Sequence, residues 1–439
     1  MNRKSFLGAL AAAVFVLLST LSAPAFAADL AAGASRIDIT PPIGFPMWGY
    51  GARHDAKCIG VLDPLQARAL VLDVGGKRIA LVSLDLGRAP TRAITAAIRK
   101  RVAAEGITEV FLVGSHTHHG PVLEMDGWPT KDKPYSAELE NKLVQVILEA
   151  KKACQPARLG CASVMTDLNR NRHSKQPVKS VDRELLVMRV EDMQGKPIAH
   201  AVNFAAHATM TDAKILKFSA DWPGAMAALV EKETSAPCLF LQGAAGDMSA
   251  NPGAHSGPKA FGEAVAQTAL NAAKQVKCQG PSFGDMKVKQ EDFTFHNRVD
   301  LGNPLVKRMY ISAFFKDIID FYEAEYREGV RPTLSVALLD GRIGIVGVSG
   351  EFFCEHAIQL KRRARLDNLF FLGYCNDYQQ YFPTIEAAAE GGYGADPQVA
   401  TAEVGAGERM MNRALLELYK MRGKYPDLQL QTNSAAAKK

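Results

Sequence analysis

Cysteine is scarce in the chain, and the spacing of its cysteines excludes one common kind of metal site. The 439 residues include seven cysteines. No two of them are separated by just two residues, so a zinc site built from thiolates is not expected. The odd count leaves at least one thiol outside any intramolecular disulfide. Cys154 and Cys161 are close enough in sequence to be a candidate pair.

Long apolar runs are equally rare. After residue 27 no segment is long and apolar enough to span a bilayer, which takes ~20 residues. Before it, a shorter run over 6–21 lies between the basic pair Arg3-Lys4 and the small-x-small sequence Ala25–Ala27. This arrangement is typical of a cleaved signal peptide. The sequence predicts removal of residues 1–27 and a mature, exported protein (periplasmic or secreted) that begins near Ala28; the alternative is a retained membrane anchor.

The chain also lacks a strong excess of charge. Its formal net charge is +6, and it falls to +4 without the segment 1–27, which carries two basic residues and no acidic one. No basic stripe interleaved with aromatic residues occurs, so no nucleic-acid partner is predicted. The mild positive excess is compatible with transient contact with an anionic membrane surface.

No repeat or compositional linker interrupts residues 28–425. β-rich runs around short turns predict hairpins within 67–84, 185–203 and 334–348. Segments of helical periodicity predict helices, and these are 90–104, 137–153, 222–234, 257–276, 351–365 and 402–421. Together they predict one α/β (mixed α+β) domain, with mixed β-sheets flanked by helices. The composition of residues 426–439 predicts a disordered tail.

A cluster of histidines follows an apolar strand, in Gly114-Ser115-His116-Thr117-His118-His119-Gly120-Pro121. Side chains alternate faces in an extended chain, so His116 and His118 should point the same way and His119 away from them. Two imidazoles on one face can share a metal ion, or one can bind the metal while the other transfers protons. A surface cluster without a role is the alternative.

Four further segments carry polar groups, each with a structural alternative. His207 follows a second strand, where a single histidine is more often a core residue. The Gly-rich turn 242–252 can hold Asp247 or Ser249 rigidly, or can be a plain tight turn. It has neither the G-x-S-x-G pattern nor the lysine of a P-loop. Glu351 follows Ser349-Gly350 and could simply begin a helix. Residues 376–384 and 391–393 read as a functional loop.

Taken in order, these motifs resemble the neutral (non-lysosomal) ceramidase family. GSHTHHGP, NFAAHATM, QGAAGDMSANP, SGEFF and NDYQQYFPT…GGYG occur in the order that the family uses. The resemblance covers about residues 33–395 and corresponds to the family's catalytic domain, so the chain is expected to lack the C-terminal β-sandwich domain of the long ceramidases.

The resemblance implies a site and a chemistry. It implies a Zn²⁺ ion held by His116, His207, Glu351 and Tyr381. His118 would transfer protons, Tyr393 would contact the reacting carbonyl group, and Arg170 would bring its guanidinium group to the site. Ser249 matches a serine that has been assigned as a nucleophile. The chain departs from the family in Gly394, where a glutamate is usual, and in its less polar Gly-rich turn.

The function predicted from these residues is zinc-dependent hydrolysis of the N-acyl bond of ceramide or a related N-acylated amine. Water activated by zinc is favoured over attack by Ser249, because the ligand set is complete without the serine. The alternatives are a zinc hydrolase of an ester, lactone or non-lipid amide, and an exported metal- or carbohydrate-binding protein. The final helix should pack on the core, and no interfacial anchor is evident; a substrate more soluble or shorter-chained than ordinary ceramide is therefore expected.

Overall fold

The computed structural model describes residues 30–124, 135–280 and 283–425. The predicted signal peptide and the predicted disordered tail lie outside these residues. Within them, no helix has the length and apolar character needed to cross a membrane.

The described residues form sixteen strands and nine α-helices. The strands are β1 (Leu30–Asp38), β2 (Gln66–Val74), β3 (Lys77–Leu84), β4 (Ile107–Gly114), β5 (Gln155–Met165), β6 (Asn169–Asn171), β7 (Glu184–Asp192), β8 (Pro197–Phe204), β9 (Cys238–Gln242), β10 (Met248–Ala250), β11 (Met286–Asp292), β12 (Thr333–Leu339), β13 (Ile343–Val348), β14 (Glu351–Phe352), β15 (Asn368–Leu372) and β16 (Tyr381–Phe382). The helices are α1 (Arg92–Ala103), α2 (Tyr135–Lys152), α3 (Asp221–Thr234), α4 (Gly257–Gln275), α5 (Pro304–Ala313), α6 (Lys316–Glu325), α7 (Cys354–Ala364), α8 (Ile385–Glu390) and α9 (Ala406–Met421).

Two mixed sheets form the centre of the fold, as predicted. The larger has the strand order β4-β3-β2-β1-β5-β7-β8-β9, and the smaller has the order β11-β12-β13-β15. The pairs β3/β4 and β8/β9 at the two edges of the larger sheet and β13/β15 at one edge of the smaller sheet are parallel, and the other pairs in these two sheets are antiparallel. The three predicted hairpins are confirmed as β2/β3, β7/β8 and β12/β13.

The sheets pack face to face, and helices cover both outer faces. In β2, alternate side chains face opposite sides of the larger sheet. Ala69 and Val71 pack with the helices α1 and α2, whereas Leu70 and Leu72 pack toward the smaller sheet. This is the two-residue period of a strand buried on both faces. Helices α6, α7 and α9 cover the other face of the smaller sheet. Met410, Met411, Leu415 and Leu418 of α9 are buried there, as expected.

Two sequence-based expectations are wrong. Glu351 does not begin a helix: it lies in β14, and α7 begins three residues later. Cys154 and Cys161 do not pair, and all seven cysteines are free thiols. Cys154 immediately precedes β5 and Cys161 lies within it. Seven residues of strand span about 23 Å, whereas disulfide-bonded Cα atoms are at most ~7 Å apart.

The C-terminal ends of β4, β8 and β9 lie close together, although β4 and β9 are the opposite edge strands of the larger sheet, and Gln242 joins the turns that follow them. The amide nitrogen of Gln242, the last residue of β9, donates to the carbonyl oxygen of Ser115 at 3.1 Å and to that of Ala206 at 2.8 Å. Ser115 follows β4 and Ala206 follows β8. The segments that carry His116 and His207 are therefore held side by side.

Candidate metal and active site

Three imidazole rings converge where β4 and β8 end. Ligand nitrogens of His116, His118 and His207 all lie within 4.8 Å of one another. Nε2 of His116 is 3.1 Å from Nε2 of His207 and 3.3 Å from Nε2 of His118. His119 points away, as strand alternation predicts, and its Nε2 lies 2.7 Å from a guanidinium nitrogen of Arg53. The buried cluster is therefore not a surface group of histidines.

Backbone carbonyls fix the orientation of two of the rings. Nδ1 of His116 lies 2.8 Å from the oxygen of Gly87, and Nδ1 of His207 lies 3.0 Å from the oxygen of Met248. Each Nδ1 must donate in these contacts, so each Nε2 presents a lone pair to the centre. Burial, with the nearby charge of Arg172, lowers the pKa of His207 to about 3. Burial and the neighbouring imidazoles hold the pKa of His118 well below its ordinary value.

Glu351 closes the cluster from the opposite side. Its Oε2 is 3.3 Å from Nε2 of both His116 and His207. Tyr378 donates a hydrogen bond to Oε1 at 2.5 Å, and Tyr374 donates to Oε2 at 3.3 Å. Burial disfavours the charged carboxylate, but its interactions with His116 and His207, which a proton shared at Nε2 would mediate, outweigh burial and hold the pKa of Glu351 well below its ordinary value.

The donor set fits a metal ion. Lone pairs of two imidazoles and a carboxylate oxygen face one another, and only a proton or a cation between them makes this arrangement favourable. Zinc–nitrogen distances of about 2.0–2.1 Å place tetrahedral ligand atoms roughly 3.3–3.4 Å apart. The separations of 3.1–3.3 Å among the atoms of His116, His207 and Glu351 match that spacing. These residues can hold a divalent metal ion.

Comparison with known proteins identifies the family. The family described as neutral/alkaline non-lysosomal ceramidase, N-terminal, matches residues 30–301. The chain belongs to this family. Its sequence is 28% identical to neutral ceramidase B of Dictyostelium discoideum over 247 residues, which are 46% of this chain and 34% of that protein. The aligned segment thus spans about a third of the curated relative.

Two solved ceramidase structures share the fold. A ceramidase complexed with C2 superposes with a TM-score of 0.73, at 18% identity, over 91% of this chain and 76% of that one. The neutral ceramidase from Pseudomonas aeruginosa gives a TM-score of 0.74, also at 18% identity, over 91% of this chain and 75% of that one. The ceramidase fold predicted from the sequence is confirmed.

Two tyrosines of this ceramidase-family chain lie next to Glu351. Tyr381 of β16 pairs in register with Glu351 of β14, so both side chains project from the same face of the small parallel pair. The hydroxyl group of Tyr381 contacts Arg172 at 3.2 Å. The ring of Tyr393 lies edge-on to that of Tyr381, with centroids 5.6 Å apart. Tyr381 is buried, whereas the ring of Tyr393 is largely exposed. Whether Tyr381 binds the metal stays a prediction.

The arginine of the site is Arg172, and the prediction of Arg170 is wrong. Arg170 is exposed in β6, between the buried Asn169 and Asn171. Arg172 leaves the strand, and one of its guanidinium nitrogens lies 2.9 Å from Nε2 of His207 and 3.0 Å from the oxygen of Gly246. The sequence 169–172 contains the pair Asn-Arg twice, and only Arg172 turns inward, because β6 ends at Asn171 and the chain leaves the strand there.

Ser249 lies in β10, paired across the strand with the exposed Arg170. The residue is partly buried and is not among those that line the pocket beside the histidines. Among the described contacts, no base is hydrogen bonded to its hydroxyl group. Asp247, in the same turn, has a structural role: its carboxylate accepts hydrogen bonds from the backbone N–H of Cys354 and from the side-chain amide of Asn171.

An apolar pocket of about 100 Å³ opens beside the metal-binding groups. His118, Glu351, Tyr378, Tyr381 and Tyr393 line one end of it. The other end is formed by the wall of α5, α6 and the segment before them, with Val299, Leu301, Tyr310, Ile318, Ile319 and Tyr322. A polar, metal-binding end and an apolar end suit a substrate that has a reactive polar group and a hydrocarbon part.

Sequence reasoning gave no role to Tyr374, Tyr378 or Arg172. Tyr378 lies inside the loop 376–384 that was expected to be functional, and Tyr374 is the second residue after the end of β15. Their positions at strand ends were the available signal. The contacts of Tyr374 and Tyr378 with Glu351 depend on how β13 and β15 pair, which the sequence does not show.

Proposed function

We propose that this protein is a zinc-dependent amide hydrolase that cleaves the N-acyl bond of ceramide or a related N-acylated amine. The observation that carries the proposal is the convergence of His116, His118, His207 and Glu351 at the polar end of an apolar pocket. Membership of the ceramidase family supports the reaction type.

In this proposal His116, His207 and Glu351 hold zinc, and Tyr381 completes the ligand set. When bound, zinc would act as a Lewis acid, which polarises a carbonyl oxygen and lowers the pKa of a bound water molecule to about 7. The carbonyl groups of Gly87 and Met248 accept from the Nδ1 atoms and so leave a lone pair on each Nε2. Tyr378 and Tyr374 hold the carboxylate of Glu351 in place.

His118 is the proton carrier of the proposed mechanism. Its ring lines the pocket and lies beside His116, within reach of a substrate bound at the polar end. A neutral imidazole can accept a proton at Nε2 and then deliver it to the leaving amine. Burial keeps His118 in that neutral form.

Arg172 and Tyr393 would stabilise the negative charge that develops on the carbonyl oxygen. The guanidinium group is held beside Nε2 of His207, and the ring of Tyr393 lies against that of Tyr381. A donor fixed in advance beside the reacting group stabilises such charge better than solvent does. The hydrocarbon part of the substrate would lie along α6.

Hydrolysis of a panel of N-acylated amines, measured before and after metal removal with a chelator, tests the proposal. We expect activity to disappear on chelation and to return with zinc. Hydrolysis of esters or lactones but not amides would favour the second candidate, a zinc hydrolase of another acyl substrate. Stoichiometric zinc without hydrolysis of any acyl compound would favour a binding protein.

Export is a separate proposal, which rests on the sequence of residues 1–27. N-terminal sequencing of the mature protein tests it. We expect a new N-terminus near Ala28.

A further inference from the structure

A buried carboxylate beside the site gathers three donors from distant parts of the chain. Oε1 of Glu124 accepts hydrogen bonds from Nε1 of Trp48, from Nη1 of Arg88 and from the hydroxyl group of Tyr322, each at 3.1 Å. Its Oε2 accepts from the backbone of Leu123 at 3.0 Å. The side chain of Glu124 is fully buried.

Arg88 extends this network toward Glu351. Its other terminal nitrogen pairs with Oδ1 of Asp377 at 2.8 Å. The guanidinium group also lies over the ring of Tyr378, 5.3 Å from the centroid. Tyr378 in turn donates to Glu351. One path therefore leads from Glu124 through Arg88 and Tyr378 to a proposed metal ligand.

Trp48 provides a second path, toward the histidines. Its ring lies edge-on to those of His116 and His118, with centroids 5.1 Å and 5.6 Å away. A side chain at Gly87 would come within 2.2 Å of the indole. The same Gly87 accepts the hydrogen bond from Nδ1 of His116. The indole ring therefore packs between the Gly87 backbone and two histidines, and the hydrogen bond from its Nε1 to Glu124 fixes its orientation.

The charges of this network call for an explanation other than stability. Glu124, Arg88 and Asp377 are all at least 96% buried. Burying ions costs several kcal/mol each, and well-packed apolar residues are often as stabilising. Every described contact of Glu124 Oε1 leads either to the histidines, to Glu351 or to the pocket wall.

We propose that Glu124 is a positioning residue for the metal site. It orients Trp48 directly and Tyr378 through Arg88. Its Oε1 also accepts a hydrogen bond from Tyr322 of α6, which connects the wall of the apolar pocket to the same carboxylate. The inference rests on the proposed function, since it assigns Glu124 a part in holding the same ligands. Groups that orient metal ligands typically change metal affinity or activity by about 10–100-fold when they are replaced.

Glu124→Gln tests the proposal, because it keeps the size of the side chain and removes its charge. Glu109→Gln is a matched control, since Glu109 is also buried and paired with an arginine, Arg99, but lies at the far end of β4. The measurements are zinc affinity by competition with a chelator and the absorption spectrum of the cobalt-substituted protein. We expect Glu124→Gln to weaken zinc affinity about tenfold and to shift the cobalt spectrum, and Glu109→Gln to change neither.

A milder variant keeps the test decisive if Glu124→Gln does not fold. Tyr322→Phe removes one donor and no charge, and Tyr419→Phe, whose hydroxyl group contacts only the backbone of Arg363 among the described hydrogen bonds, is its control. We expect Tyr322→Phe, but not Tyr419→Phe, to shift the cobalt spectrum and weaken zinc binding.

Unchanged zinc affinity and an unchanged spectrum in a folded Glu124→Gln or Tyr322→Phe variant would overturn the positioning role. These readouts need no substrate. A wild-type protein that binds zinc but hydrolyses no acyl compound would therefore defeat the proposed function and leave this comparison intact.

Discussion

Nε2 of His118 lies 3.3 Å from Nε2 of His116, yet the two rings are held differently. Nδ1 of His116 is bonded to the oxygen of Gly87, whereas no described residue is hydrogen bonded to the buried Nδ1 of His118. A ring without a partner on its far nitrogen is free to exchange protons, and a ring that donates from Nδ1 is prepared to bind metal.

This difference predicts that His118→Ala keeps zinc but loses most turnover. General acid–base groups contribute typically about 10²–10⁴-fold to rate, and we expect a loss of kcat in that range. Zinc content and kcat are measured on the same preparation. Release of zinc from His118→Ala as readily as from His116→Ala would show that His118 is a ligand.

Arg172 and Arg170 form a matched pair for testing the electrostatic role. We expect Arg172→Ala to lower kcat by about 10²–10³-fold, the usual loss for one group that stabilises an oxyanion. Arg170→Ala should leave kcat within about twofold, since its side chain is exposed and substitutions of that kind rarely matter. Equal losses in the two variants would contradict the placement of Arg172.

The position of Ser249 predicts that Ser249→Ala still turns over. No described base contacts its hydroxyl group, and a serine nucleophile needs one. Steady-state kinetics of the variant and mass spectrometry of the wild-type protein during turnover check this. An acyl group trapped on Ser249 would contradict the prediction.

The volume of the pocket predicts a preference for short acyl chains. On the measure that gives the pocket about 100 Å³, one water molecule needs ~10–15 Å³, which leaves room for a short acyl chain. We expect kcat/KM for short-chain amides to exceed that for long-chain amides by at least about tenfold, at constant detergent. A clear preference for long-chain ceramide would show that the pocket opens further than it does here.

The residues that sequence reasoning placed correctly are those governed by local rules. The β-rich runs around short turns predicted three hairpins; alternation gave the right grouping of His116 and His118 against His119, although these residues lie beyond the end of β4 and His116 has a φ of +64°. Glu351 was placed in a helix because Ser349-Gly350-Glu351 has the composition of a helix start. Its place in β14 depends on pairing with β16, thirty residues later in the chain.

Contacts between distant segments account for the remaining differences. Gln242 joins the two histidine-bearing turns, and Tyr378 donates a hydrogen bond to Glu351. Neither contact produces a periodic pattern in the sequence from which it could be predicted. Arg170 and Arg172 occupy nearly identical local sequences, and the end of β6 at Asn171 separates them, since only Arg172 leaves the strand. β5 and β11 were not predicted, since polar residues recur along both of these partly exposed strands.

The zinc content of His116→Ala and His207→Ala, measured by elemental analysis beside the wild-type protein, tests the central claim most directly. Each variant removes one of the two facing Nε2 atoms that the proposal assigns to zinc, so the four-ligand set loses one member. We predict one zinc ion per wild-type chain, little or none in either variant, and loss of hydrolysis in parallel. Full zinc occupancy in both variants would contradict the assignment of this site.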